Sequence, residues 1–195
     1  QVPAGERCRF ASRAGLRDLA GAPVASARFE FTTGGPAIDE VFPWEGNEID
    51  ESQGFALRLD APADPASVRS FARCTVEGIG EEIPVEMVEG EARAALLAER
   101  NRLGYGFRRL LASSRGEQPV DESRLALVRC QRPLPPGARM QLLWPAQIRT
   151  ASGVTVGSQR RLEYRVRQPL LAQVECSRAN ADAGCLPMLP IRVRF

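Results

Sequence analysis

The sequence contains no histidine and no lysine, and all 26 of its basic residues are arginine. Without histidine it lacks the commonest general base and metal ligand, so a non-enzymatic protein without metal or cofactor is expected. No apolar run approaches the ~18 residues of a membrane span, so direct membrane insertion by this segment is not expected. The chain begins at Gln1 without an initiator methionine, a signal-type apolar core or a lipidation motif, which reads as an internal or processed segment. The five cysteines lack paired CxxC spacing, which argues against zinc, and are too few for a small disulfide scaffold. They fit disulfides in a non-cytosolic compartment better.

What is present is a chain of 195 residues, 44% apolar, enough for at least one buried core. Fifteen prolines and seventeen glycines spread along it favour many short strands joined by turns. The net charge of +2 names no acidic partner. Clustered arginine could bind phosphate, but these arginines alternate with apolar residues or acids, the pattern of a solvated strand face. No nucleic-acid partner is expected.

The organising stretch is Phe29-Glu-Phe-Thr-Thr-Gly-Gly-Pro36. Phe29 and Phe31 alternate with Glu30 and Thr32, the period of a strand with one buried face. Two glycines and a proline then stop it, and Ile38 and Val41 restart an apolar pattern before a turn at Gly46-Asn47. The same arrangement returns at Leu162-Glu-Tyr-Arg-Val166, followed by Pro169, Leu170, Leu171 and Val174. Gly5, Leu16, Gly21 and Val24 match Gly137, Ile148, Gly153 and Val156 at an offset of 132 residues. One inserted residue brings Phe29, Phe31 and Pro36 onto Leu162, Tyr164 and Pro169. This is an internal repeat. It divides the chain into the end of one β-sandwich unit (1–36), a complete unit (37–168) and the first strands of a third (169–195).

In the complete unit Phe55, Leu57 and Leu59 mark a core strand that Pro62 and Asp64-Pro65 close. A strand is expected over 68–76, with a short one over 83–87 placed at an edge because Pro84 cannot donate to a ladder. Glu91 to Arg100 is rich in helix formers, giving one short helix with Ala92 and Leu96 on its apolar stripe, ended by Gly104-Tyr-Gly106. Residues 108–122 read as a polar, exposed loop. Strands resume at Arg124-Leu-Ala-Leu-Val-Arg-Cys130, then at Met140, Leu142 and Trp144, and last at Leu162, Tyr164 and Val166. Ser152-Gly153 is a hairpin-type turn. Seven or eight strands in this space indicate an all-β protein of antiparallel, Ig-like β-sandwich units in tandem. The third unit stops at Ile191-Arg-Val-Arg-Phe195, which repeats Phe55-Ala-Leu-Arg-Leu59. Its Val193 and Phe195 are expected to pair with the first, partial unit or to stay loosely ordered.

Cys74 and Cys130 both fall in strands of the complete unit, and a disulfide between them is favoured over two buried free thiols. Cys176 and Cys185 flank a loop short enough for a local staple, again ahead of free thiols. Cys8, whose repeat equivalent is Met140, is left unpaired, and no histidine could activate it as a nucleophile. Asp39, Glu40, Glu45, Asp50 and Glu51 could bind calcium but lack the EF-hand spacing, so solvated acids are the preferred reading. Trp44 and Trp144 could stack on sugars; their neighbouring prolines and apolar pattern favour a core or domain-joint role.

Four segments together, Phe29-Glu-Phe-Thr-Thr-Gly-Gly-Pro36, Ile49-Asp-Glu-Ser-Gln-Gly-Phe55, Arg129-Cys-Gln-Arg-Pro-Leu-Pro-Pro-Gly137 and Cys176-Ser-Arg-Ala-Asn-Ala-Asp-Ala-Gly-Cys-Leu-Pro187, resemble the N-terminal region of bacterial alpha-2-macroglobulins. The similarity covers essentially the whole chain. It implies macroglobulin-type sandwich domains of a large protease-trapping inhibitor of the cell envelope, periplasmic and often anchored to the inner membrane, or secreted. It also implies that Cys8 pairs with a cysteine just upstream of Gln1. The partners would be other domains of the same large chain, with target proteases engaged only through the full-length protein. The family's reactive Cys-x-Glu-Gln has no counterpart, since Cys176 is followed by Ser-Arg-Ala. The alternative is an Ig-like repeat module of an adhesin or surface-layer protein that mediates protein-protein interaction.

Overall fold

The expected alternation at Phe29 and Phe31 forms a strand in the computed structural model, which describes residues 2–98, 104–112 and 121–195. Strand β2 (Arg28–Thr32) pairs antiparallel with β1 (Arg7–Ala11), setting Cys8 opposite Phe31 and Phe10 opposite Phe29. This two-stranded ribbon is separate from the main sheet. The chain then runs through β3 (Ile38–Phe42), β4 (Glu48–Ile49), β5 (Gly54–Leu59), helix α1 (Pro65–Phe71), β6 (Arg73–Val76) and β7 (Ile79–Met87). Helices α2 (Gly90–Ala98) and α3 (Gly104–Leu111) follow, then β8 (Leu125–Cys130), β9 (Arg139–Trp144) and β10 (Arg160–Val166). A second ribbon closes the chain, β11 (Gln173–Glu175) with β12 (Arg192–Arg194).

The protein is all-β. Eight strands join in the order β3-β5-β8-β7-β6-β9-β10-β4, antiparallel except for the short β10–β4 pair. The ladder folds on itself at β7. The second half of β7 pairs with β8, setting Val85 opposite Cys130, while its first half pairs with β6, setting Cys74 opposite Ile83. Pro84 stands where the strand passes from one layer to the other, and its carbonyl accepts from Gln131 N at 3.0 Å. The expected edge strand over 83–87 is therefore the hinge of the sandwich. Proline is tolerated there because the ladder changes partner at that residue. Between the layers lies a core that includes Phe55, Leu57, Leu142, Trp144, Leu162 and Tyr164, with the Phe55 and Tyr164 rings 5.0 Å apart.

Two further expectations fail. Val68 belongs to helix α1, not to a strand over 68–76. The Asp64 carboxylate caps α1 by accepting from Ala66 N at 3.2 Å, Pro65 fills the first turn, and Val68 is fully buried. Apolar spacing over so short a segment does not separate helix from strand, and the Asp-Pro cap was the signal that did. Likewise Gly104-Tyr-Gly106 begins a helix instead of ending one, and Phe107 and, in the first part of the expected loop over 108–122, Leu110 are buried. Residues 113–120 of that loop, and Glu99 and Arg100 of the expected helix, lie outside the described residues. The described residues thus hold three α-helices, and a 3-10 turn at Glu122–Arg124, where one helix was expected.

Helix α3 covers the outer face of the β3-β5-β8 layer. Phe107 and Leu110 pack with Ala56, Leu125 and Leu127 in a second cluster, which is why Leu125-Ala-Leu-Val128 is apolar without alternation. A Cβ on Gly106 would sit 2.7 Å from the Phe42 ring, so only glycine allows the helix this close. Arg58 fixes the contact. Its guanidinium donates to the carbonyls of Leu110 and Ala112 at 3.2 and 3.1 Å, and pairs with Asp39 and Glu40 at 2.8 Å each.

Candidate functional site: the joint between ribbon and sandwich

The β1–β2 ribbon meets the sandwich through its own turns. Trp144 is fully buried and donates its indole N–H to the carbonyl of Pro36 at 2.9 Å. Ser152 donates its hydroxyl to the carbonyl of Gly5 at 2.8 Å, and the Thr150 hydroxyl lies 2.7 Å from that of Ser152. A Cβ built on Gly35 would come within 2.2 Å of the Thr155 backbone, so the Gly34-Gly35-Pro36 stop is also a close backbone approach. Within the ribbon, Thr33 accepts from Glu6 N at 2.9 Å and donates to the Pro3 carbonyl at 2.7 Å.

On the sandwich side, Asp60 accepts from Ala37 N at 2.8 Å, and Arg160 donates to the Ile38 carbonyl at 2.7 Å. Partial burial pushes the Asp60 carboxyl above its ordinary value, against the pull of the backbone donors it accepts from. Tyr164 donates to the Pro43 carbonyl at 3.0 Å, and burial pushes its phenol upward. The arrangement is a fixed splice between two β-elements. Every polar group named in it is spent on another part of the chain.

The repeat found in the sequence is also a repeat of hydrogen bonds. Val24 N donates to the Leu16 carbonyl at 2.9 Å, and Val156 N to the Ile148 carbonyl at 2.9 Å. Asp18 N pairs with the Ala22 carbonyl at 3.0 Å, and Thr150 N with the Val154 carbonyl at 2.9 Å. Each turn is closed by a side-chain oxygen, Asp18 for Ala22 N and Thr150 for Val154 N. The strand register repeats as well: Cys8 opposite Phe31 and Phe10 opposite Phe29 correspond to Met140 opposite Tyr164 and Leu142 opposite Leu162.

The cysteines are placed as follows. Cys74 in β6 and Cys130 in β8 are joined with their Cα atoms 6.0 Å apart, which ties the two layers together beside the β7 hinge. Cys176 and Cys185 are joined across a separation of 9 residues, next to the β11–β12 ribbon. Cys8 is half-buried and unpaired among the described residues.

The acids of the 39–51 segment do not converge. Asp39 and Glu40 hold Arg58, Glu45 faces Arg160 at 3.9 Å, and Asp50 pairs with Arg167 at 2.6 Å. Among the described residues no group of three or more histidine, cysteine or acidic residues is placed to hold a metal. The two tryptophans part company. Trp144 is at the joint, whereas Trp44 is 42% exposed and lies beside Gly106 of α3. What sequence reasoning missed are Thr150, Ser152 and Asp60. Such residues carry no motif, and the repeat alone could have pointed to the turn holding the first two. Of the two expectations for Val193, pairing with the first unit fails, since it pairs with Val174 of the second ribbon.

The fold and the joint define a β-sandwich module with partial β-elements spliced to it. No family model and no curated protein matches the sequence. Among solved structures, the N-terminal part of the bacterial S-layer protein SbsC is 16% identical, with a TM-score of 0.39, over 73% of this chain and 26% of that one. Domains 1–6 of the surface layer protein SbsC give 15% identity and a TM-score of 0.38 over 73% and 15% of the respective chains. The chain thus spans about a quarter or less of the length of these proteins. Likeness at that level assigns no function. Two disulfides fit an oxidising, extracytoplasmic compartment, and no helix among the described residues is long and apolar enough to cross a membrane.

Proposed function

We propose that this chain is a structural module of a cell-envelope or surface protein, a rigid β-sandwich spacer in a tandem array of related units. The observation that carries the reading is the splice at Gly35 and Pro36. Trp144, Ser152 and the Thr155 backbone grip the incoming ribbon by hydrogen bonds and by a contact that leaves no room for a side chain. A flexible linker would leave these groups to water. Repetition of the same turn and the same strand register supports an array built from copies of one unit.

The test is a distance measurement between spin labels at Arg9→Cys and Arg161→Cys, in a chain whose Cys8 is replaced by serine. A rigid splice gives a single narrow distance distribution, which Gly35→Val broadens. A broad distribution in the chain with Gly35 intact would sink the spacer reading.

A narrower reading makes the array an alpha-2-macroglobulin-like protease trap. It is favoured by the four segments quoted above, which resemble that family in order along the chain. Under it the chain is scaffold: it holds neighbouring domains in position and meets a protease only as part of the larger molecule. Its location would then be the periplasm or the cell exterior.

A further inference from the structure

Helix α2 sits on the sheet more loosely than α3. None of its residues is fully buried, and it packs through Leu96 and Leu97, both half-buried. Hydrogen bonds hold it down: the Arg93 guanidinium donates to the carbonyls of Leu125 and Glu122 at 2.8 and 2.7 Å. Helix α3 is seated firmly, with Phe107 and Leu110 buried and Gly106 close against the Phe42 ring.

The sheet beneath the two helices dips. Phe42, Ala56 and Leu127 stand opposite one another on β3, β5 and β8 and form one row across the outer face. Ala56 is the small member between two large ones. Its lone methyl leaves a hollow of about 220 Å³ below the helices. Phe42, Ala56, Phe107 and Leu127 line it, and the half-buried Val88 and Leu96 complete its walls. Among the described residues Gln53 is the only polar side chain in the lining, and its amide nitrogen donates to the Gly54 carbonyl at 2.7 Å.

Protein interiors pack as densely as organic crystals, so a space of this size is uncommon in them. Water is held poorly there, because an ordered water needs several polar partners and the lining side chains offer Gln53 alone. An ion or a sugar would find nothing to replace its hydration. An uncharged ring, by contrast, leaves water and gains contact with Phe42, Phe107 and Leu127. The size agrees as well: a cavity of about 150 Å³ with a comparable apolar lining takes up benzene, and this larger one has room for a substituent on the ring.

We propose that the hollow between α2, α3 and the outer face of β5 and β8 is a binding site for a small, uncharged apolar molecule, a single substituted aromatic ring. Helix α2, tethered through Arg93 but lightly packed, is the wall that yields to admit it. The site lies wholly within the complete sandwich and does not depend on the spacer reading.

Toluene titrated into the isotope-labelled chain, followed by amide nitrogen–proton correlation spectra, tests it. Saturable shifts should appear at Ala56, Val88, Leu96, Phe107 and Leu127, with one toluene bound per chain. Benzoate, the same ring carrying a charge, should produce none of them at equal concentration. Ala56→Leu fills the hollow and should abolish binding, while the amide signals of Leu142 and Leu162 in the inner core stay in place and show that the sandwich is folded. Ala56→Val adds less bulk and decides the matter if the leucine variant does not fold. It should weaken binding about tenfold, since the added methyls and the ring compete for one space. The proposal is overturned by the absence of saturable shifts up to the solubility of toluene, or by shifts confined to residues away from the hollow. Undiminished binding by a folded variant at Ala56 overturns it too.

Discussion

Asp60 illustrates how a single side chain at the splice is held at a cost. It accepts the Ala37 N–H while partly shielded from water, and its carboxyl is pushed above the ordinary value of 3.8. A raised folded-state value means the protonated form suits the fold better. The group's contribution to stability is complete below its unfolded value and is lost as the pH rises through the folded one. Asp60→Asn keeps an oxygen for Ala37 and removes the charge. Its thermal midpoint should exceed that of the parent at neutral pH, and the two should converge as the pH falls below 3.8, where both side chains are neutral. A variant that is less stable at neutral pH would mean the carboxylate is favourable where it stands.

Among elements, β7 and its neighbours join the two layers of the sandwich. β7 belongs to both layers, and the Cys74–Cys130 bridge spans them beside its bend. The loop closed by that bridge has a separation of 56 residues, for which chain entropy gives about 4 kcal/mol of stabilisation. Replacing both cysteines with alanine should lower the unfolding free energy of the sandwich, measured by urea denaturation, by an amount of that order. The Cys176–Cys185 bridge closes a separation of 9 residues outside the eight-stranded sheet. Its removal should leave the midpoint of the sandwich where it was. Equal losses from the two double variants would show that the second ribbon is coupled to the core.

At the scale of the whole molecule, the helical layer distinguishes the complete unit from its partial copies. Ala56 and Phe42 are apolar on the outer face of the sheet and lie under α3, whereas their counterparts Arg192 and Glu175 are charged and exposed. The apolar outer face that α3 covers is thus not repeated at the corresponding positions of the second ribbon. If the larger molecule is a protease trap, this chain alone should inhibit nothing. Incubated in excess with trypsin, elastase or subtilisin, it should leave hydrolysis of a large protein substrate and of a small peptide equally intact. Loss of activity toward the large substrate alone would show that this chain traps proteases by itself.

The all-β class, the internal repeat and the cysteine pairs as favoured bonds were legible in the sequence. Strand alternation, turn glycines and a recurring register are local or periodic signals, and the sequence by itself determines them. The hinge role of Pro84, the burial of Phe107 and Leu110 and the joint residues Thr150, Ser152 and Asp60 were not legible. Their meaning depends on which partners arrive from far along the chain. Proline reads as an edge until a strand is seen to change sheets at that point, and an arginine-rich segment reads as solvated until Arg58 is found beneath it to take up its carbonyls. Tertiary structure decided these, because burial and hydrogen-bond partnership are properties of pairs of distant residues and not of either one alone.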